Sequence, residues 1–321
     1  MTIGSRTAKK QTPRPTPRKI PAAMGQPATG HQERPGRGIL LVLLSTLFLA
    51  SSDVAAKHLS ASLPALQIAW MRYATFTLIM ISAFGATRGA LTLRSRRPGL
   101  QLLRGLGMVG SAILFISSLG ILPVADATAI SFISPILVTG LSVPLLGERV
   151  GPRAWAAAFL GFAGVLVVLR PGQGAFQLGA VLPVLAALCW ACALVATRRV
   201  AADDSAQTTM TYSALVGLVI LTLLVPLVWT PPGAAQVLTG AFIGFASTTG
   251  HWLVAQAYRF ADASRLAPIS FAQIAAVSVV AYLVLGAVPD VWTWAGAGII
   301  AGSAVVMARE GRRATSRPTA S

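Results

Sequence analysis

Three ionisable side chains, Asp53, Arg72 and His251, stand inside long apolar stretches of the sequence. Such a group inside a bilayer is costly unless it is paired or hydrated, so each is treated first as a functional group. Lys57 follows Asp53 by four residues, which places both on one face of a helix. These side chains could bind the charged parts of a small solute. His251 could also couple proton movement, since histidine titrates near neutral pH.

A structural role is the alternative for each charged group. Asp53 and Arg72 are expected at similar depths of two antiparallel helices, roughly 9 Å and 12 Å from the same side. A salt bridge between them would fix the packing of those helices, whereas contact with a solute would leave both available. Asp53, Lys57 and Arg72 sum to one positive charge, which suits an acidic or zwitterionic solute. A hydrogen bond to a neighbouring helix would equally explain His251.

Aromatic and amide or hydroxyl side chains recur in the same stretches, where they could stack a planar solute and hydrogen-bond its edges. Packing within the helices is the alternative for each. With Asp53, Lys57, Arg72 and His251, the candidates for solute binding or coupling are Trp70, Tyr73, Phe115, Ser134, Trp190, Trp252, Ser270 and Gln273. No catalytic residue, metal ligand or cofactor site is predicted.

Composition indicates the medium that surrounds these groups. Hydrophobic residues make up 55% of the chain and charged residues 11%, against roughly 25% charged residues in soluble domains. The net charge of +17 resides in the tails and in short gaps between apolar runs, so it indicates membrane topology and not nucleic-acid binding. Cys189 and Cys192 have redox-motif spacing, but their apolar flanks favour helix packing.

The apolar runs predict an all-α integral membrane protein with ten transmembrane helices. With an even number of spans, the gaps rich in lysine and arginine fall on one side of the membrane. Both termini are therefore expected in the cytoplasm, and the chain in a bacterial inner membrane. Residues 1–37 form a predicted disordered basic tail, and 309–321 a second cytoplasmic tail. The predicted spans are 38–59, 64–86, 99–121, 125–146, 153–170, 177–197, 207–229, 235–257, 264–286 and 290–308.

An internal repeat is indicated by Ala125-Asp126-Ala127-Thr128, which recurs as Ala261-Asp262-Ala263-Ser264. It divides the chain into two five-helix repeats, 38–171 and 177–308. Five is odd, so the repeats are inverted, as in many secondary transporters with a solute site between the halves. Asp126 and Asp262 are interpreted as carboxylates at helix starts.

Two further local patterns bear on helix packing. Pro135 and Pro268 predict kinks within their spans. Gly240 to Gly244 and Gly298 to Gly302 predict close helix contacts.

The sequence resembles the EamA-type branch of the drug/metabolite transporter superfamily from Gly38 to Arg309. The resemblance rests on several short motifs. These are Ser51-Ser52-Asp53 with Lys57, Pro64 and Arg72, Ser134-Pro135 through Gly147-Glu148, and Gly161 and Gly164 to Arg170-Pro171. It implies a ten-span transporter of a small metabolite, with a lean to a vitamin or cofactor such as riboflavin or S-adenosylmethionine. Glu148 has no matching acid in the second repeat.

Other functions stay open at this point. Export of amino acids or metallophore-like metabolites is the nearest alternative. A membrane-embedded enzyme or sensor belongs to another class, but an enzyme would need a catalytic motif that is missing from this sequence. The expected partners are a small-molecule solute and the lipid bilayer, without nucleic acid, and the protein could be a monomer or a dimer.

Overall fold

The structure is a computed structural model that describes residues 35–88, 95–146, 152–169, 178–200, 203–257, 260, 269 and 272–315. Throughout these ranges the chain is helical with short turns and contains no β-strand. The helices are α1 (Pro35–Leu59), α2 (Ala65–Arg88), α3 (Pro98–Leu119), α4 (Val124–Ser131), α5 (Ser134–Leu146), α6 (Pro152–Leu169), α7 (Leu178–Val200), α8 (Ala206–Leu224), α9 (Ala234–Ala257), α10 (Ala272–Leu285) and α11 (Val291–Thr315). A 3-10 helix, Val225–Val228, continues α8.

The kink predicted at Pro135 is confirmed as a break in one predicted span. α4 ends at Ser131 and α5 begins at Ser134, so Pro135 occupies the first turn of α5, where its missing N–H removes no helical hydrogen bond. Because α4 and α5 together form one span, the helices of the described residues account for the ten predicted spans. Pro268 lies outside the described residues.

Within the described ranges, five segments are both long and apolar enough to cross a membrane: Gly36–Leu59, Pro98–Leu119, Val124–Leu145, Ala180–Val200 and Thr208–Val228. α10 is apolar but shorter. Several helices extend beyond their predicted limits, most of all α11, which continues to Thr315, while α1 begins at Pro35 and α7 ends at Val200. The predicted helix start at Ala261-Asp262-Ala263-Ser264 lies outside the described residues.

Helix packing has the pattern expected of two five-helix repeats. α3 packs along α7, and α1 packs along α9. When each span of the first half is exchanged with the equivalent span of the second half, the α3–α7 pair becomes the α9–α1 pair. The pairs α2 with α8 and α6 with α11 map onto themselves. The fold is therefore the predicted all-α membrane bundle of two inverted repeats.

Glycines allow α9 to approach α2 closely, as predicted. A Cβ added at Gly240 would lie 2.4 Å from the Met71 sulfur, and one at Gly244 would lie 2.8 Å from the Arg72 carbonyl oxygen. Direct backbone approach of this kind needs residues without a side chain.

The predicted close contact at Gly298 and Gly302 is wrong. Both glycines are exposed on α11, and an added Cβ at either would meet no described atom within 4 Å. The close approach between α6 and α11 is made instead by Gly164, where an added Cβ would lie 2.8 Å from Ile300 and 2.9 Å from the Gly296 carbonyl oxygen. The glycine pair on α11 points away from this contact.

Candidate functional site

Arg72 is the eighth residue of α2, about 11 Å from the beginning of that helix. Its half-buried side chain interacts electrostatically with Asp53, Tyr73 and His251. Within the part of the chain that the structure describes, its guanidinium makes no hydrogen bond and no ion pair. Polar side chains thus lie near the cation, and its N–H groups remain available to donate to a ligand.

Asp53 has a partner from the other half of the molecule. Gln273 of α10 donates a 3.3 Å hydrogen bond from Nε2 to Asp53 Oδ2. The salt bridge considered between Asp53 and Arg72 does not form within the described residues, although the two charges interact electrostatically. Asp53 thus keeps acceptor positions in addition to the one that Gln273 occupies.

His251 of α9 lies against Trp190 of α7, with the ring centroids 5.9 Å apart and the ring planes at 57°. Its Nδ1 is 2.7 Å from the carbonyl oxygen of Ser247 one turn earlier. A carbonyl only accepts, so Nδ1 carries the proton, and Nε2 of the neutral ring is left as an acceptor. The alternative of a hydrogen bond from Nδ1 to a neighbouring helix is not observed, because the bond stays within α9.

Asp53, Arg72, Trp190, His251 and Gln273 are called here the interface group. Asp53 and Arg72 come from the first repeat, on α1 and α2, and the other three come from the second. The group offers an arginine fork, a carboxylate, a ring acceptor and an indole face. Together these can hold a small molecule that has opposite charges and a planar ring.

Lys57 is held away from the interface group at the end of another helix. Its Nζ donates to the carbonyl oxygens of Leu119 at 2.5 Å and Leu122 at 3.1 Å. These carbonyls lie at and just beyond the C-terminus of α3, where a cation is stabilised by unpaired carbonyls and the helix dipole. Its contacts are those of a structural lysine.

The other candidates predicted from the sequence do not belong to the interface group. Trp70 Nε1 donates a 3.0 Å hydrogen bond to Thr222 Oγ1 and therefore contacts α8. Tyr73 is buried, and its ring fills the space beside Gly217. Trp252 is 52% exposed on the outside of α9. Phe115 and Ser134 are half-buried on α3 and at the start of α5, and Ser270 lies outside the described residues.

The comparisons with known proteins decide the family. The EamA-like transporter family matches the chain twice, over residues 36–170 and 177–309. The protein belongs to the EamA-like transporter family. It is thus a multi-pass membrane transporter of small metabolites and not an enzyme.

Relatives of this EamA-like transporter have several named solutes. It is 28% identical to the S-adenosylmethionine uptake transporter of Rickettsia bellii, over 82% of this chain and 90% of the relative. It is 30% identical to the riboflavin transporter of Vibrio cholerae, over 84% and 92%. Identity to the pseudopaline exporter CntI of Pseudomonas aeruginosa is 25%, over 85% and 96%. A solved crystal structure shares the fold, with a TM-score of 0.62 at 22% identity over 87% of this chain and 99% of that one.

Arg104, a half-buried arginine inside α3, is not among the candidates predicted from the sequence. It donates to Thr197 Oγ1 at 2.7 Å, to the Thr209 carbonyl oxygen at 3.0 Å, and to Ser213 Oγ. Its position within a predicted span was a usable signal, because arginine is as costly there as at Arg72.

A polar network also joins the two repeats near the start of α3. Asp204, in the turn before α8, accepts from Ser95 Oγ, from the backbone N–H of Arg96 at 2.8 Å and from Gln101 Nε2 at 2.9 Å. These hydrogen bonds hold the pKa of Asp204 below its ordinary value, with the Ser95 hydroxyl as the largest cause. Beside it, exposed Arg97 and half-buried Asp203 form a 2.6 Å ion pair.

Proposed function

We propose that the protein carries a zwitterionic or planar cofactor-type metabolite across the membrane, by alternating access of its two repeats around the interface group. The observation that carries this proposal is the guanidinium of Arg72, which lies within a span, faces groups of the other repeat and has no hydrogen bond or ion pair within the described residues. A charge inside a span is costly without a partner, and in this proposal the solute is that partner.

The chemistry of the group favours an amino-acid-like zwitterion attached to a flat ring. Arg72 suits a carboxylate, since its fork can donate two parallel hydrogen bonds. Asp53 suits an ammonium group, and its separation from Arg72 leaves both charges free for such a solute. The Trp190 and His251 rings suit a heteroaromatic ring. S-adenosylmethionine, the solute named for the Rickettsia bellii relative, has all three features.

Riboflavin is the second candidate, because the relative from Vibrio cholerae is named for it. Its fused ring fits the Trp190 and His251 side of the group, and its ring carbonyls can accept from Arg72. It has no ammonium group for Asp53, which is why it is placed second. An amino acid or a metallophore-like metabolite would use the two charges without needing the rings.

Membrane topology completes the proposal. The lysine and arginine residues lie mainly in the tails and in the gaps that one side of the bilayer shares, so both termini belong in the cytoplasm and the membrane is the bacterial inner membrane. Large apolar side chains such as Leu223, Phe159 and Leu283 are exposed on the helices. Contact with lipid tails accounts for this exposure.

The test is counterflow in proteoliposomes, with labelled S-adenosylmethionine, riboflavin and leucine offered in parallel. We expect saturable movement of S-adenosylmethionine, inhibited by excess unlabelled compound and unaffected by leucine. Movement of riboflavin alone would replace the first candidate by the second. Movement of leucine alone would contradict the role of the rings. If none of the three moves while a reconstituted control transporter works, the proposed solute class is wrong.

A further inference from the structure

Arg104 is a second arginine in the bundle whose charge has no counter-ion among the described residues. All its hydrogen-bond partners are neutral oxygens, from α7 at Thr197 and from α8 at Thr209 and Ser213. Among the residues that the structure describes, no carboxylate lies within ion-pair distance of it. Its Nη2 makes no hydrogen bond there either, so part of the guanidinium remains able to donate.

The internal repeat relates the surroundings of Arg104 to those of Arg72. The separation between Ala65 and Ala206, which begin α2 and α8, is 141 positions, and the same separation relates Leu59 and Val200, which end α1 and α7. Applied to Arg72, this register gives Ser213. Arg104 therefore donates to the residue that occupies, in the second repeat, the place that Arg72 has in the first.

The other charged member of the interface group, Asp53, has an uncharged equivalent. The same separation relates Asp53 to Leu194. An inverted-repeat transporter exchanges the conformations of its halves during transport, so a group that binds the solute in one state is expected to have an equivalent in the other. Ser213 alone cannot replace the charge of Arg72, but Arg104 supplies that charge from α3. The side chain of Tyr73 is close enough to be influenced by the charges of both arginines.

We propose that Arg104 forms a second subsite for the anionic group of the solute, used when the protein opens toward the face where α3 begins. This inference rests on the proposed function and adds a carboxylate or phosphate as a required part of the solute. Arg72 lies about 11 Å from the beginning of α2 and Arg104 about 9 Å from the beginning of α3. α2 and α3 begin at opposite faces, so the two arginines serve opposite halves of the path.

The experiment measures the KM for S-adenosylmethionine separately from each face of oriented proteoliposomes. Orientation is read with an impermeant maleimide at an Arg96→Cys marker, on the face where α3 begins. Arg104→Gln is expected to raise KM from that face roughly tenfold, the effect of losing a charge-assisted hydrogen bond, and to change KM from the other face little. Arg97→Gln, which removes the charge paired with Asp203 seven residues before Arg104, is the matched control and should leave KM from both faces as in wild type.

Arg104→Lys keeps the charge but not the fork, and is expected to give a smaller rise from the same face. If Arg104→Gln does not assemble, the Arg104→Lys result decides. Equal KM values from both faces, with only a lower thermal stability, would mean that Arg104 is a structural contact and would overturn the inference. Vesicles with and without phosphatidylglycerol supply a further arm, because an effect limited to the anionic lipid would assign Arg104 to a lipid headgroup and also overturn it.

Failure of this inference is distinguishable from failure of the proposed function. Wild-type protein that moves no solute would overturn both. Solute movement by wild type, lost in Arg72→Gln but unchanged from both faces in Arg104→Gln, would overturn the second subsite alone.

Discussion

Arg72 and Lys57 are both cations on consecutive helices, but their surroundings indicate different roles. Lys57 donates two hydrogen bonds to carbonyls at the end of α3. The last carbonyls of a helix have no partner within the helix, so they need a donor of this kind. Arg72 faces a carboxylate and an imidazole without bonding to either. At the residue scale, function is thus indicated by which charge lacks a structural partner.

Replacing Lys57 with Met should therefore affect stability and not solute affinity. Loss of the two hydrogen bonds and of the favourable charge is expected to cost about 1–2 kcal/mol, lowering the apparent Tm of the detergent-solubilised protein by a few degrees. Lys57→Arg should retain most of that stability. An unchanged Tm combined with a strongly raised KM would instead place Lys57 in contact with the solute.

Every member of the interface group is among the candidates that the sequence predicts, but the sequence alone does not separate these members from the other candidates. Asp53, Arg72 and His251 stand out because charge inside an apolar span is rare. The direction of Trp252 and Trp70 depends on helix rotation, which is set by neighbours distant in the chain, and both tryptophans point elsewhere. Arg104 was overlooked although it lies in a predicted span, and its relation to Ser213 needs the helix ends that only the structure supplies.

At the scale of the helices, the approach of α9 to α2 positions His251 relative to Arg72. Gly244 allows that approach, since an added Cβ would lie 2.4 Å from the Thr75 Cβ and 2.8 Å from the Arg72 carbonyl oxygen. Neither atom is the end of a flexible side chain, so the helices would have to separate. The glycine therefore links packing to the geometry of the interface group.

Gly244→Ala is expected to lower both the apparent Tm and the transport rate, with a stability loss of about 1–3 kcal/mol from overpacking. Gly302→Ala is the matched control, because it adds the same methyl group where nothing lies within 4 Å. The control should be neutral or slightly stabilising. Equal Tm values and transport rates for the two variants would contradict the close approach of α9 to α2.

The Asp204 network joins the two repeats outside the spans and should respond to acid. Its native pKa lies below the ordinary value of 3.8, so its stabilising effect is complete above that value and is lost as the pH falls through the native pKa. The difference in Tm between wild type and Asp204→Asn should be constant near neutrality and shrink below about pH 4. Ser205→Gly alters the same turn without removing a charge, and its Tm difference should show no such narrowing. A gap that widens in acid would contradict the network.

At the scale of the whole molecule, hydropathy and charge bias were enough to predict the ten-span bundle, because only closed helices satisfy the backbone in lipid. The repeat was predicted from a short Ala-Asp-Ala motif, and the exchange of α3–α7 with α1–α9 contacts now supports it independently. The faces of individual helices were harder to predict, as the error at Gly298 and Gly302 demonstrates. A small-residue motif indicates that close contact is sterically allowed, not that a neighbour is present.

The central claim is that the interface group binds the solute and that Arg72 is its principal charge. The most direct measurement compares S-adenosylmethionine counterflow by wild type and Arg72→Gln in proteoliposomes, after both have been shown to insert equally and to have similar Tm values. The account predicts saturable movement by wild type and its loss in the variant, with partial recovery in Arg72→Lys. Normal counterflow by a well-folded Arg72→Gln protein would contradict it.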